Sequence, residues 1–497
     1  MKKYIVPILA GSLLLAACED DLNQIPLSSA TTETFYASTT DFTQGINAVY
    51  NDLLTYPDRQ LNLSETRSDN LYAASPGGVR DWEGINDFQS TIASNVYVAE
   101  AWLTNYNGIY RANVLLDQLD KNGAVLTDAL RTRFEAEAKF LRGFYYFDLV
   151  RWFGQVPIID KPITSDESLT IPRSPVSDVY DLIISDLKFA VDNLPVSYDN
   201  ANLGRATKYA AEGILALVYM TRSGATYDID GPGLGLNEWN QAETLLNDII
   251  ASGNYSMLSN YSDIFSYSNE NNKEVVFDVQ YITGKTPVIG STFCWVLVPD
   301  KYFQSKGKVA QGGLDIRPVS TDLLNAYESG DTRKDFSIQS GYVYNGVAES
   351  NPFFKKYVDV SQTPSNRLDW PINFIVLRYT DVLLLKAECV LHGASGSQGT
   401  DVDAVVNQVR HRAGLSPKSN ITLTQLLDER RKEFAAEGTR WHDLVRFGVV
   451  NTVMTSWIAT EDVSNVIEPF NNNYIIYPLP QSEMDVTPGL YTQNDGY

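Results

Sequence analysis

Cysteine and histidine are scarce in this chain of 497 residues, and each occurs three times. No pair has the C-x-x-C or H-x-x-x-H spacing that zinc sites favour, so we predict no metal site and no cofactor. A Ser–His catalytic triad would have to use a histidine near the C-terminus, and no motif supports one. Cys294 and Cys389 could pair or remain buried free thiols, and the sequence leaves both open.

Positive charge is also in short supply. Lys and Arg together number 39 against 61 Asp and Glu, which gives a formal net charge of -22. Such a surface repels phosphate backbones, so we predict no nucleic-acid partner. It would equally repel polyanionic ligands unless a local basic patch offset it. The chain therefore suits neutral or cationic partners.

After the N-terminus, no apolar run is long enough to span a bilayer. Residues 1–17 are predicted to be a lipoprotein signal peptide, with Lys2 and Lys3 ahead of a short apolar stretch. The ending Leu15-Ala16-Ala17-Cys18 resembles a bacterial lipobox, which implies cleavage before Cys18, lipidation of its thiol and a membrane anchor. Residues 18–40 are the predicted tether, whose acidic start suits either a surface-export signal or a solvated linker.

Helical periodicity dominates residues 41–497, which we predict to form a single body of mainly α fold. Apolar residues recur at spacings of three and four in several segments: 41–54, 96–118, 131–153, 177–194, 207–223, 238–252, 374–392, 401–413 and 423–447. Small and large apolar residues alternate along paired segments, which is typical of tetratricopeptide-type hairpins. In the stretch 131–157, the aromatic residues Phe144, Tyr145, Trp152 and Phe153 are predicted to pack between helix pairs.

Two regions, about 57–95 and 254–371, lose the helical period and are predicted to be loop-rich. Between residues 274 and 295 the period falls to two, with alternation over residues 275–280, which predicts a strand. Both regions carry aromatic residues beside short polar ones, a combination that binds sugars by stacking and by hydrogen bonds to hydroxyls. The candidate ligand-binding residues are Arg80, Asp81, Trp82, Asn86, Tyr281, Trp295 and Tyr302. For Trp82 the alternative is a loop tryptophan that fills a gap in the core.

Five segments occur in an order that resembles one family. They are the lipobox, FLRGFYYFDLVRWFGQVP, VLRYTDVLLLKAE, ERRKEFAAEGTRWHDLVRFG and the C-terminal YPLPQSEMDVTPGLYTQNDGY. Together they resemble the SusD/RagB family of outer-membrane nutrient-binding lipoproteins. The resemblance implies about four tetratricopeptide-type helix pairs on one side and a binding face of loops and short strands on the other.

The resemblance also implies a function without catalysis. A lipid-anchored protein on the cell exterior would capture a glycan and deliver it to a SusC-like TonB-dependent transporter. The acidic surface favours a neutral glucan, with a β-linked glucan as one candidate. Two alternatives remain: a peptide-binding lid of the same transporter, and a glycoside hydrolase, which would need a pair of carboxylates that no motif singles out.

Overall fold

The computed structural model describes residues 35–73, 80–313 and 316–497. The predicted signal peptide, Cys18 and most of the tether lie outside the described residues. Within them the chain is mostly helical with a few short strands, which confirms the predicted mainly α fold.

Eleven of the helices carry the scaffold. In chain order they are α1 (Thr39–Asn51), α2 (Val96–Asn122), α3 (Asp128–Phe153), α4 (Val176–Asn193), α5 (Lys208–Ser223), α6 (Trp239–Ala251), α7 (Tyr379–Leu391), α8 (Ala404–Arg412), α9 (Leu423–Glu433), α10 (Arg440–Arg446) and α11 (Val450–Glu461). Shorter helices span Tyr56–Arg59, Asp81–Asn86, Ser165–Ser168, Asp300–Ser305, Thr321–Ala326, Thr332–Ser337 and Gln481–Val486.

The long helices pack in chain order, each against the next, from α1 to α7. Helix α3 lies at the centre of this array, and the aromatic residues of the stretch 131–157 are buried in it as predicted. The Tyr145 hydroxyl donates a 2.7 Å hydrogen bond to the carbonyl oxygen of Val49 in α1. Arg142 pairs with Asp186 of α4, and its Nε lies 2.7 Å from Oδ2 of that carboxylate. Apolar packing and buried ion pairs therefore hold neighbouring helices together.

The strands are short and form two-stranded antiparallel ladders between the helical segments. They are β1 (Val275–Val279), β2 (Ile338–Gln339), β3 (Tyr342–Tyr344), β4 (Val347–Glu349), β5 (Phe353–Phe354) and β6 (Phe374–Arg378). Strand β1 pairs with β6, β2 with β5 and β3 with β4. The pairing of β1 with β6 brings together the two ends of the segment 280–373, which holds most of the loop-rich region.

The prediction of an irregular segment from residue 57 was wrong over its first part. Tyr56–Arg59 is α-helical, Gln60–Glu65 is a π-helix, and residues 81–86 form another short helix. Residues 59–71 are buried on every side, including polar ones such as Asn62 and Thr66. A segment with no solvent-facing side shows no amphipathic period, so periodicity could not reveal it.

Two predicted helices have different bounds. Residues 374–378 are strand β6 rather than the start of a helix, because an apolar run without period suits either element. The predicted helix 423–447 is interrupted between α9 and α10, where Ala436 has φ 65° and Gly438 has φ 74°. Their backbone N–H groups donate to the two oxygens of the buried Glu65 carboxylate, at 3.0 and 3.1 Å. These two hydrogen bonds to Glu65 hold the backbone in the conformation that interrupts the helix.

The two cysteines inside the described chain do not pair. Cys294 and Cys389 are both buried and free. Burial raises the pKa of each thiol, so both behave as small apolar groups in the core.

Candidate functional site

Trp82 lies in the first turn of the short helix Asp81–Asn86, where it is half-buried. Glu83 caps this helix by accepting a 2.9 Å hydrogen bond from the backbone N–H of Arg80. The guanidinium of Arg317 lies over the indole, with Cζ 4.3 Å from the ring centroid. The cation and the ring attract each other, so Arg317 holds the indole in a fixed orientation.

Arg317 is itself buried and held by hydrogen bonds. It is 4% exposed, and its Nη1 donates to Oδ1 of Asn62 at 2.8 Å and to Oγ1 of Thr66 at 2.9 Å. Burial lowers the pKa of Arg317 to about 10, so the group stays charged at neutral pH. The buried segment 59–71 thus supports Trp82 through one arginine.

Trp295 ends a short 3-10 helix whose other members, Phe293 and Cys294, are buried. The indole is half-buried, and its Nε1 donates a 3.1 Å hydrogen bond to the carbonyl oxygen of Arg367. The exposed guanidinium of Arg367 lies 5.2 Å from the ring centroid. Trp295 therefore has the same arrangement as Trp82, because each is a partly exposed indole with an arginine guanidinium near its ring.

Asp58 connects the two tryptophan segments. Its Oδ2 accepts a short hydrogen bond from the hydroxyl of Thr292, three residues before Trp295. Burial raises the pKa of Asp58 to about 6, while the nearby Arg59 and Arg317 act in the opposite direction. Its Oδ1 is buried without a hydrogen-bond partner among the described residues. One carboxylate thus lies close to the supports of both indoles.

The other residues predicted from sequence are placed differently. Asp81 is exposed and Arg80 half-buried beside Trp82. Asn86 is fully buried, and its side chain bonds the backbone of Thr66, Leu71 and Ala73. Its amide is fully used in holding the segment, so a direct contact with a ligand is not favoured.

The two predicted tyrosines are also buried. The Tyr281 hydroxyl donates a 2.7 Å hydrogen bond to the carbonyl oxygen of Leu54. Tyr302 is 6% exposed and packs against Phe353 with ring centroids 5.1 Å apart. Both rings are therefore buried beneath the surface that carries the two tryptophans, and neither forms part of its exposed face.

Sequence reasoning did not find Asp58, Thr292, Arg317 or Arg367. Asp58 lies in a helical segment that seemed irregular, and Arg317 is far from Trp82 along the chain. No local pattern marks them, because their contacts join residues that lie between 72 and 255 positions apart in the chain.

Comparison with known proteins agrees with this architecture. The SusD family model matches residues 295–497, and a second model, described as starch-binding associating with outer membrane, matches residues 24–220. A SusD-like protein of Bacteroides ovatus is 30% identical over 473 residues, which cover 90% of this chain and 82% of the relative. The chain belongs to the SusD family.

Solved structures of SusD-family relatives show the same fold. Surface glycan-binding protein A from Bacteroides fluxus superposes with a TM-score of 0.79 at 25% identity, over 93% of this chain and 100% of that one. A laminarin-binding SusD-like protein gives a TM-score of 0.75 at 27% identity, with the same coverage. In the part of this SusD-family chain that the structure describes, no helix is long and apolar enough to cross a membrane.

Proposed function

We propose that this SusD-family protein captures a neutral glucan at the cell surface, on a platform formed by Trp82 and Trp295. The main support for this proposal is that the two tryptophans have the same surroundings. Each indole is half-buried and has an arginine over its ring, at 4.3 Å for Arg317 and 5.2 Å for Arg367. A ring fixed before binding loses little entropy when a pyranose stacks on it.

Polar groups beside each indole supply hydrogen bonds for sugar hydroxyls. We assign this role to the exposed Asp81 and the half-buried Arg80 near Trp82, and to the exposed Arg367 near Trp295. Carboxylate and guanidinium groups can form paired hydrogen bonds with vicinal hydroxyls. Asn86, Tyr281 and Tyr302 are proposed to hold the surface in place from the protein side.

The proposed ligand class is a neutral glucan, and a β-glucan is favoured. A net charge of -22 disfavours polyanionic glycans. The laminarin-binding relative at 27% identity supports a β-linked ligand, because laminarin is a β-glucan. The family description that names starch supports a neutral glucan in general.

We further propose that lipidated Cys18 anchors the protein to the outer membrane with its body outside the cell. There it would pass its glycan to a SusC-like TonB-dependent transporter. We propose no catalysis: Asp58, the carboxylate linked to the segments of both indoles, has one oxygen buried and the other bonded to Thr292. Neither a peptide-binding lid nor a glycoside hydrolase is favoured by these residues.

The proposal is tested by electrophoresis of the mature protein through gels that contain laminarin, starch or polygalacturonate. Retardation by a neutral glucan, with no retardation by polygalacturonate, is the expected result. Release of reducing ends from the bound polymer would show an enzyme instead. Retardation by polygalacturonate alone would contradict the ligand class.

A further inference from the structure

A cleft lies within the loop-rich region 254–371, and neither Trp82 nor Trp295 is among the residues that line it. It has a volume of about 570 Å³, within the range of small-molecule sites. Its walls are the turn 262–268, the end of the helix Thr332–Ser337, Tyr302 and the segment 355–362. Among the residues that line this cleft, only Tyr302 has a role in the platform proposed above.

Two aromatic rings are partly exposed in this cleft. Phe336 is half-buried and held by edge contacts to Tyr261 and tilted contacts to Phe265, with centroids 5.6 and 5.8 Å apart. Tyr267 is half-buried, and its hydroxyl donates a 2.8 Å hydrogen bond to the carbonyl oxygen of Tyr357. Both rings are fixed by the protein while part of each remains open to solvent, as stacking on a sugar requires.

Polar groups with unused hydrogen-bonding capacity surround these rings. Lys355 is half-buried, and its Nζ makes a single long hydrogen bond of 3.5 Å, to Oε1 of Gln339. It has no ion pair among the described residues, and burial lowers its pKa. Ser266 and Ser268 face each other with their hydroxyl oxygens 3.1 Å apart. Each group can exchange a weak internal bond, or water, for a ligand hydroxyl.

The charge of the cleft favours an uncharged ligand. Asp263, Asp335 and Asp359 line it. The positively charged residues of the cleft are Lys355 and Lys356. The Nζ of Lys356 is already paired with Oε1 of Glu437 at 2.6 Å. A polyanion would meet net repulsion here, whereas hydroxyl groups can both donate to the carboxylates and accept from Lys355.

We propose that this cleft is a second saccharide site, which binds a neutral oligosaccharide by stacking on Phe336 and Tyr267 and by hydrogen bonds to Lys355 and the aspartates. It rests on the function proposed above, since the cleft would take the same class of ligand as the Trp82 and Trp295 platform.

The test separates the two sites by mutation and uses laminarihexaose and maltoheptaose as probes in titration calorimetry. Phe336→Ala removes one stacking ring but also core contacts. Ser268→Leu is therefore the main variant, since it fills the cleft from an exposed position. Ser185→Leu, on the exposed side of α4, is the matched control. Thermal melts establish that all variants are folded.

In the Trp82→Ala/Trp295→Ala background we expect residual binding of at least one probe, which Ser268→Leu weakens at least about tenfold and Ser185→Leu leaves unchanged. Loss of all binding in that background, with Ser268→Leu silent in the wild-type protein, would overturn the cleft and leave the tryptophan platform intact. Wild-type affinity in that background, abolished by Ser268→Leu, would support the cleft and reject the platform. Competition by a lysine-rich peptide rather than by saccharide would overturn the ligand class.

Discussion

Arg440 and Asp69 form a two-point ion pair that joins segments 371 residues apart in the chain. Nε and Nη2 of Arg440 lie 2.8 and 2.7 Å from the two oxygens of Asp69, and both side chains are buried. Asp69 belongs to the buried segment that supports Arg317, and Arg440 begins α10. This ion pair thus connects helix α10 of the scaffold to the buried segment beneath the proposed binding platform.

Removal of Arg440 should destabilise the protein strongly. Arg440→Met leaves Asp69 with Arg431 as its remaining partner, at 3.1 Å. We expect a loss of about 3 kcal/mol in the free energy of unfolding, because breaking a buried pair leaves an undercompensated charge. Urea denaturation measures this. The control is Lys121→Met, which breaks an exposed pair with Asp117 and should cost less than about 0.5 kcal/mol. Equal effects of the two variants would refute the assignment.

Asp69 should also contribute to acid unfolding. Burial opposes its ionisation, but Arg431 and Arg440 together lower the pKa of Asp69 to about 2. Its unfolded pKa is about 3.9, so its contribution is complete above that pH and is lost as the pH falls from about 4 to 2. The slope of unfolding free energy against pH in this window should be shallower in Asp69→Asn than in wild type. An unchanged slope would contradict the prediction.

Asp278 should have the opposite effect. Burial raises the pKa of Asp278 to about 7, against the hydrogen bond from Gln280. The folded state therefore binds more protons than the unfolded state, and its stability rises as the pH falls from about 7 to 4. Asp278→Asn should remove this rise and stabilise the protein at pH 8, by on the order of 2 kcal/mol. Denaturation at pH 5 and pH 8 tests it, and identical pH dependence in both proteins would refute it.

The break between α9 and α10 should not tolerate a side chain at Gly438. A Cβ there would lie 2.6 Å from Cβ of Gln60, at φ +74°. Gly438→Ala should therefore cost about 3 kcal/mol, from strain and overlap together. Gly330 has φ +88° with open space around its Cβ position, so Gly330→Ala isolates the backbone cost of about 1 kcal/mol. Similar unfolding midpoints for the two variants would show that the contact with Gln60 is not limiting.

The sequence predicts the scaffold well but does not predict the contacts that hold the candidate site residues, for one physical reason. Helix α3 could be read from its period, because its burial pattern is local and repeats every few residues. The segment around Asn62 could not, since buried polar side chains carry no period and depend on Arg317 and other distant partners. The sequence indicates Trp82 and Trp295 as tryptophans in predicted loops. Only the structure shows the arginines beside them and the burial of Tyr281.

Trp82 and Trp295 are proposed to bind the glycan. Calorimetric titration of Trp82→Ala, Trp295→Ala and the double variant with the neutral glucan that binds the wild type measures their contribution. Each single change should weaken binding by about 1–3 kcal/mol, and the double change more. Tyr110→Ala, at a tyrosine that is 54% exposed on α2, should leave the affinity unchanged. Wild-type affinity in both single variants and in the double variant would contradict a role of the two tryptophans in binding.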